Sequence, residues 1–266
     1  MRSINHESYF SPEWPCPPNV KTAVTMRAGG NSGDPWRGFN LAYHVGDAPE
    51  AVSANRDYLA QQLGCKRSVA WLEQVHSNDV ISVDQALQHE ADECRSARGL
   101  GRGDALITSC VDQPIAMMTA DCLPVFLVDD LGREVAVVHA GWRGLLNGVL
   151  EAAIESFEAP AMRLKAWLGP AICVDCYEVG PEVYESFQGR SREFGAAFIQ
   201  RKTKSDRKQF DLKKAAAIVL ANLKIGSVTD GRLCTSCLEN KFFSYRRDGV
   251  TGRMASVIWK TSPSLD

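Results

Sequence analysis

Two apolar runs joined by five residues constrain this chain more than any other feature. Residues 125–128 and 134–139 flank Asp129-Asp130-Leu131-Gly132-Arg133. A short, glycine-containing link between such runs predicts an antiparallel hairpin. A sheet containing it is at least partly antiparallel, so strict βαβ winding is excluded. Beyond Gly141 the period changes. Trp142, Leu145, Leu146, Val149, Leu150, Ala153, Ile154 and Phe157 fall on one helical face, with Asn147, Glu151, Glu155 and Glu158 opposite. That pattern predicts one helix over 142–157.

The remaining elements follow from local signals. Strands are predicted over 20–27, 68–72, 80–83, 105–108, 115–119 and 165–168. Asp47 is a candidate N-cap for a helix with Pro49 in its first turn and Gly64 past its end, burying Val52, Leu59 and Leu63. Short helices are expected over 181–187 and 192–201. Asp211 caps a helix running to about residue 223, with Gly226 beyond it. Segments 242–246 and 253–259 read as a C-terminal hairpin, 88–102 as a polar surface loop, and 28–33 as a glycine-rich turn. Pro12, Pro15, Pro17 and Pro18 keep the first twenty residues from forming a helix. With 266 residues, 45% of them apolar, a sizeable core is available. The expectation is a single α+β or mixed α/β domain with helices covering sheet faces. It spans 20–260, between an extension over 1–19 and a tail over 261–266.

Charge and composition narrow the function. Thirty Lys and Arg against 32 Asp and Glu give a net charge of −2. That supplies no field for a dedicated nucleic-acid binder. The richest apolar stretch, 114–128, is interrupted by Asp121 and is too short to span a bilayer, so no membrane association is expected. The first residues, MRSINHESYF, lack the apolar core of a secretory signal, which points to the cytoplasm. In that compartment the nine cysteines are expected to be reduced thiols, any special one being a metal ligand or nucleophile.

Hairpin geometry brings one cysteine to one histidine. If Asp129 pairs with Glu134, opposed residues sum to 263, so His139 faces Pro124 and Cys122 faces Gly141. Cys122 and His139 are then diagonal neighbours on one face, roughly 7 Å or less apart between Cβ atoms. A thiolate and an imidazole suit zinc, whose catalytic sites take three protein ligands and leave one position open. The third ligand stays open at this point between His44 and His76, with spacing slightly favouring His76. His6 and His89 lie in poorer locations. Against this stands the ordinary reading of a cysteine in an apolar stretch, an inert core thiol. Two CxxC pairs, Cys173/Cys176 and Cys234/Cys237, resemble a four-cysteine zinc site. The 57 residues between them exceed the compact spacing, and ordinary reduced thiols are the preferred reading. Arg27, Arg143, Arg246 and Arg247 are candidate anion partners.

Several blocks taken together resemble the YfiH family. They include Glu73-Gln74-Val75-His76, Gly103-Asp104-Ala105-Leu106, Thr119-Ala120-Asp121-Cys122-Leu123-Pro124 and His139-Ala140-Gly141-Trp142-Arg143-Gly144. Gly169-Pro170-Ala171-Ile172, Cys176-Tyr177-Glu178-Val179-Gly180 and Phe243-Ser244-Tyr245-Arg246-Arg247 match as well. Upstream, Thr25-Met26-Arg27 with Gly29-Gly30, and Asn40-Leu41 with His44-Val45-Gly46-Asp47, extend the match. The resemblance runs over about residues 20–259 and implies a layered sandwich of mixed sheets covered by helices. It implies a zinc site formed by His76, Cys122 and His139. It also implies a purine nucleoside phosphorylase acting on adenosine, inosine, guanosine and S-methyl-5′-thioadenosine, with an accompanying adenosine deaminase activity. Arg143, and more weakly Arg27, are then candidate phosphate partners, and Asp121 a possible base or ligand orienter. The motifs of the zinc nucleobase deaminases are absent. The family has also been described as a polyphenol oxidase or laccase and as a peptidoglycan-precursor editing factor. Other readings are therefore a copper-dependent oxidase, a Cys122–His139 hydrolase acting on a cell-wall precursor amide, and a non-catalytic binding module. A multicopper laccase uses on the order of ten histidines, and this chain has five.

Overall fold

The computed structural model describes residues 8–64, 66–89, 99–200 and 206–262. In chain order the strands are β1 (Tyr9–Phe10), β2 (Val20–Thr25), β3 (Val80–Ser82), β4 (Ala105–Thr108), β5 (Ile115–Thr119), β6 (Leu123–Asp129) and β7 (Val135–Ala140). They continue with β8 (Leu164–Leu168), β9 (Glu178–Val179), β10 (Phe198–Ile199), β11 (Lys208–Phe210), β12 (Ser227–Asp230) and β13 (Met254–Lys260). The helices are α1 (Pro49–Leu63), α2 (Val83–His89), α3 (Trp142–Asn147), α4 (Val149–Glu155), α5 (Pro181–Arg190), α6 (Leu212–Asn222) and α7 (Tyr245–Asp248).

The predicted hairpin is the middle of the molecule. β6 and β7 pair antiparallel with Pro124 opposite His139, the register expected from the turn. They lie inside a six-stranded sheet of order β12-β8-β6-β7-β4-β3. The β12–β8 and β3–β4 pairs are parallel and the others antiparallel, so the sheet is mixed. A four-stranded sheet, β1-β2-β13-β5, packs against it, and β10-β11-β9 form a small third sheet.

Side-chain alternation divides the core into layers. Along β6, Val125 and Leu127 point toward α4 and α6, joining Leu150, Ala153, Ala216 and Leu220. Phe126 and Val128 point the other way, meeting Val24, Ile115, Met117 and Ile258 of the four-stranded sheet. The far face of that sheet packs Ala23, Ala116 and Val257 against Leu59 of α1. The order is helix, sheet, sheet, helices. Every residue of β6 and β7 is buried because both faces are covered, which explains why these strands read as apolar runs rather than alternating ones. Each large apolar side chain so buried contributes about 1.5–3 kcal/mol. Among the described residues no helix is long and apolar enough to cross a membrane.

Several expected elements differ. The helix over 142–157 is two helices, α3 and α4, split at Gly148, whose φ is 89°. Residues before and after the break bury into the same cluster, so the apolar period runs across it unchanged. The C-terminal hairpin does not form. Ser244 accepts a hydrogen bond from the Arg247 amide and caps the short α7, while β13 pairs with β2 and β5 instead. Residues 68–72 form no strand; Ala70 makes an isolated bridge to Ile115. Val83 begins α2 rather than ending β3. The N-cap of α1 is Ala48, and Asp47 instead accepts from the Ala48 amide and the Asn40 side chain. The helix over 192–201 is a 3-10 turn, Arg192–Ala197, followed by β10, and residue 201 lies outside the described residues. So does most of the loop over 88–102; its first two residues end α2. The Asp211-capped helix is present, with Asp211 accepting from the Lys214 amide.

Candidate active site

The site forms where the chain passes from one large sheet to the other. β5 belongs to the four-stranded sheet and β6 to the six-stranded sheet. The link between them, Ala120-Asp121-Cys122, carries a left-handed residue, Asp121, at φ 92°. Asp121 is buried and fully engaged. One carboxylate oxygen accepts from the Thr235 hydroxyl at 2.6 Å and the other from the Arg246 amide at 2.6 Å. It holds the turn, and Cys122 projects from its end.

His139 lies on β7, and Asp104 is its cross-strand neighbour just before β4. Ala105 pairs with Val138, and the His139 amide donates to the Asp104 carbonyl. Their side chains meet as well, with His139 Nδ1 2.7 Å from Asp104 Oδ1 and both side chains nearly inaccessible. Taken as the donor, Nδ1 leaves the Nε2 lone pair for the site. The other Asp104 oxygen accepts from the amides of Val75 (3.2 Å) and Ser77 (2.6 Å) and from the Ser77 hydroxyl. Those amides flank His76, which sits at φ 60°. A left-handed histidine costs energy and persists where its surroundings over-determine it. Asp104 supplies that constraint. Gln74 adds a second one through paired hydrogen bonds to the Met118 amide and carbonyl, both 2.8 Å.

The outcome is a compact trio. One ligand atom from each of His76, Cys122 and His139 lies within 4.8 Å of the others. Cys122 Sγ is 4.0 Å from His76 Nε2, and the two imidazole rings stand 4.8 Å apart at 73°. Zinc–sulfur and zinc–nitrogen bonds of about 2.3 and 2.0–2.1 Å at a tetrahedral angle span about 3.6 Å. Cys122 and His76 thus need closure of a few tenths of an ångström to share a zinc ion, and the donor chemistry of the three residues suits that ion. Gly141 leaves the room: a Cβ there would stand 3.1 Å from Cys122 Sγ and 3.1 Å from His76 Cδ2.

Electrostatics favour the charged forms of Cys122, His139 and Asp104, a thiolate and a carboxylate on either side of an imidazolium whose proton a metal ion would displace. Burial raises the Cys122 thiol, but the charge and hydrogen bonds of His139 and His76 outweigh it and bring the pKa to about 6. Burial lowers His139, yet the facing thiolate and Asp104 push it up to about 9. Burial raises Asp104; the bond to His139, its charge and the two amides prevail and lower it. Burial and then the Cys122 charge push the Tyr177 phenol up, so it stays a hydrogen-bond donor at neutral pH.

The other candidates are placed differently. Arg143 is exposed on α3 with its guanidinium 4.4 Å from the Trp142 ring. Arg27 donates to the Glu239 carbonyl at 3.1 Å and lies 3.8 Å from Asp248, lining a separate cleft with Gly29, Gly30 and Arg37. Arg246 donates to the Glu178 carbonyl at 2.6 Å, and Arg247 to the carbonyls of Thr235, Ser236 and Phe242. His44 sits in a 3-10 turn, Tyr43–Val45, outside the trio. His6 and the His89 side chain lie outside the described residues. Sequence reasoning gave no role to Asp104, Gln74 or Tyr177. The missing signal is the β4–β7 pairing, which alone puts Asp104 opposite His139.

A family model described as "Multi-copper polyphenol oxidoreductase laccase" matches residues 21–261. A purine nucleoside phosphorylase of Pseudomonas aeruginosa is 40% identical over 252 residues, covering 95% of this chain and 98% of its own. The purine nucleoside phosphorylase YfiH of Escherichia coli is 40% identical over 248 residues, covering 93% and 97%. Among solved structures, a Neisseria meningitidis protein superposes with a TM-score of 0.87 at 41% identity, covering 96% of this chain and all of that one.

Proposed function

The chain belongs to the laccase-like polyphenol oxidoreductase family that includes YfiH, and from that membership and the trio we propose that it is a zinc-dependent purine nucleoside phosphorylase. The carrying observation is the convergence of His76, Cys122 and His139 around the space left by Gly141. Identities of 40% to enzymes named purine nucleoside phosphorylases support the substrate class. The proposed substrates are adenosine, inosine, guanosine and S-methyl-5′-thioadenosine with phosphate, and adenosine deamination is a side activity. The proposed compartment is the cytoplasm.

A zinc ion held by the trio would supply a Lewis acid that neutralises anionic charge or lowers the pKa of water. The chain's own residues do the positioning. Asp104 fixes His139 through Nδ1 and, through the amides of Val75 and Ser77, fixes His76. A carboxylate behind a ligating histidine sets its tautomer and raises its basicity. Asp121 fixes Cys122 from the other side by holding the preceding turn. Arg143, exposed two residues after Gly141, is proposed to meet the incoming phosphate and Arg27 to be a weaker partner.

The copper oxidase reading has less support, since five histidines fall short of a multicopper ligand set. A hydrolase using Cys122 as nucleophile and His139 as base is the second reading, favoured by the low Cys122 pKa. Metal dependence separates the two. Cys122→Ala and His76→Ala are expected to lower zinc stoichiometry and abolish nucleoside cleavage while the circular dichroism spectrum is retained. Normal zinc content and rate in Cys122→Ala would remove the model. Full turnover by chelator-stripped wild type would favour the hydrolase.

A further inference from the structure

The two CxxC pairs, far apart in sequence, meet in space. Cys173 and Cys176 bracket the 3-10 turn Val174–Cys176, and Cys234 and Cys237 lie in the loop after β12. Backbone pairing brings the segments together: Ala171 bridges Cys234, and the Thr235 amide donates to the Ala171 carbonyl. All four sulfurs lie within 4.8 Å of one another. Cys173 Sγ is 3.8 Å and Cys176 Sγ 3.4 Å from Cys237 Sγ. A tetrahedron with metal–sulfur bonds of about 2.3 Å has edges of about 3.8 Å. Disulfide-bonded sulfurs stand about 2.05 Å apart. The Cys234 sulfur accepts from the amides of Cys173 (3.3 Å) and Cys237 (3.4 Å), as a ligating thiolate does within a CxxC turn.

We propose that Cys173, Cys176, Cys234 and Cys237 form a second, closed tetrathiolate zinc site, separate from the His76–Cys122–His139 trio. With four protein ligands it has no open position, so its role is structural. It ties the loop after β8 to the loop after β12. Both loops grip Asp121, through the Ile172 amide on its carbonyl (3.0 Å) and the Thr235 hydroxyl on its carboxylate. The second ion thereby steadies the turn that presents Cys122. Four reduced thiols from two loops converge here although three are only half-buried and Cys237 is exposed, so packing of cysteine as a small buried hydrophobe does not account for the cluster.

The test is metal analysis of protein purified anaerobically under reductant. Wild type is expected to carry about two zinc ions per chain. The double variant C173S/C237S is expected to lose one, and the double variant H76A/C122A to keep one. Cobalt substitution in H76A/C122A should give the strong near-ultraviolet sulfur-to-cobalt charge-transfer band of a tetrathiolate. Titration of wild type with an organomercurial should release this zinc as the four thiols are modified. A wild type with one zinc that C173S/C237S loses would support this site and remove the trio. Should C173S/C237S fail to fold, the metal content and cobalt spectrum of H76A/C122A decide. Absence of zinc and of the charge-transfer band in that variant would overturn the proposal, as would a Cys173–Cys176 or Cys234–Cys237 disulfide in the anaerobically alkylated protein.

Discussion

Asp104 touches the trio twice, through His139 Nδ1 and through the amides on either side of His76. Asp104→Asn keeps the shape but replaces a full anion with an amide and puts a donor where an acceptor was needed. Metal affinity, measured by competition with a fluorescent chelator, is expected to fall about 10–100-fold, as for other carboxylates behind ligating histidines. Unchanged affinity would mean that the His139–Asp104 pair does not orient the ligand. Gly141 tests the same space sterically. Its backbone is extended, with φ −69°, so alanine there meets no conformational penalty. The added methyl stands 3.1 Å from both Cys122 Sγ and His76 Cδ2. Gly141→Ala should therefore retain thermal stability to within a few degrees while losing the trio's zinc, about one of the two ions per chain. Full zinc occupancy would show that the trio is not the metal's seat. Cys122 and His139 were legible as a pair from the hairpin alone, because one turn sets their register. The third ligand was not, because His76 reaches the trio through the Asp104 bonds to its flanking amides and the docking of Gln74 on Met118, neither of which leaves a local pattern.

At the scale of elements, α2 and β4 are joined by one carboxylate. Asp84 accepts hydrogen bonds from the Thr108 and Ser109 hydroxyls and from the Ser109 amide at 2.9 Å. Burial raises its pKa, but these donors prevail and lower it. A carboxylate whose folded pKa is depressed contributes stability that is present above its unfolded pKa, about 3.9. That stability is lost as pH falls through the lower, folded value. Asp84→Asn should reduce the urea midpoint at pH 7, and the gap from wild type should narrow below about pH 4. A gap independent of pH would show that the carboxylate's charge contributes nothing. Elements built on local chemistry were readable in the sequence. The 129–133 turn fixed its hairpin, and Asp211 marked its helix. Elements decided by distant partners were not. Residues 242–246 look like a strand because they are aromatic, yet Phe242 and Phe243 are buried against Met254 and β13 takes β2 and β5 as partners. The break at Gly148 was hidden because both half-helices present the same apolar face.

The whole molecule is a four-layer sandwich whose candidate active site lies at the seam between its sheets. The seam explains the division of labour. His139 comes from the six-stranded sheet and Cys122 from the crossing between sheets. The two flanking loops, tied through the four cysteines, close over Asp121. Layering of this kind could be expected from mixed strands and helices, but the seam depends on β5 and β6, adjacent in sequence, entering different sheets. The central claim is that this seam cleaves purine nucleosides with phosphate. A charge-assisted contact to phosphate is worth about 1.5–3 kcal/mol, or one to two powers of ten in affinity. Arg143→Ala should accordingly weaken phosphate-dependent cleavage by about that factor and spare zinc occupancy, with deamination less affected because water replaces phosphate. The decisive measurement is incubation of adenosine with the purified protein over a range of phosphate concentrations, quantifying adenine, ribose 1-phosphate and inosine. The account predicts adenine release that rises with phosphate and is matched mole for mole by ribose 1-phosphate. Adenine release independent of phosphate, with no ribose 1-phosphate formed, would contradict it.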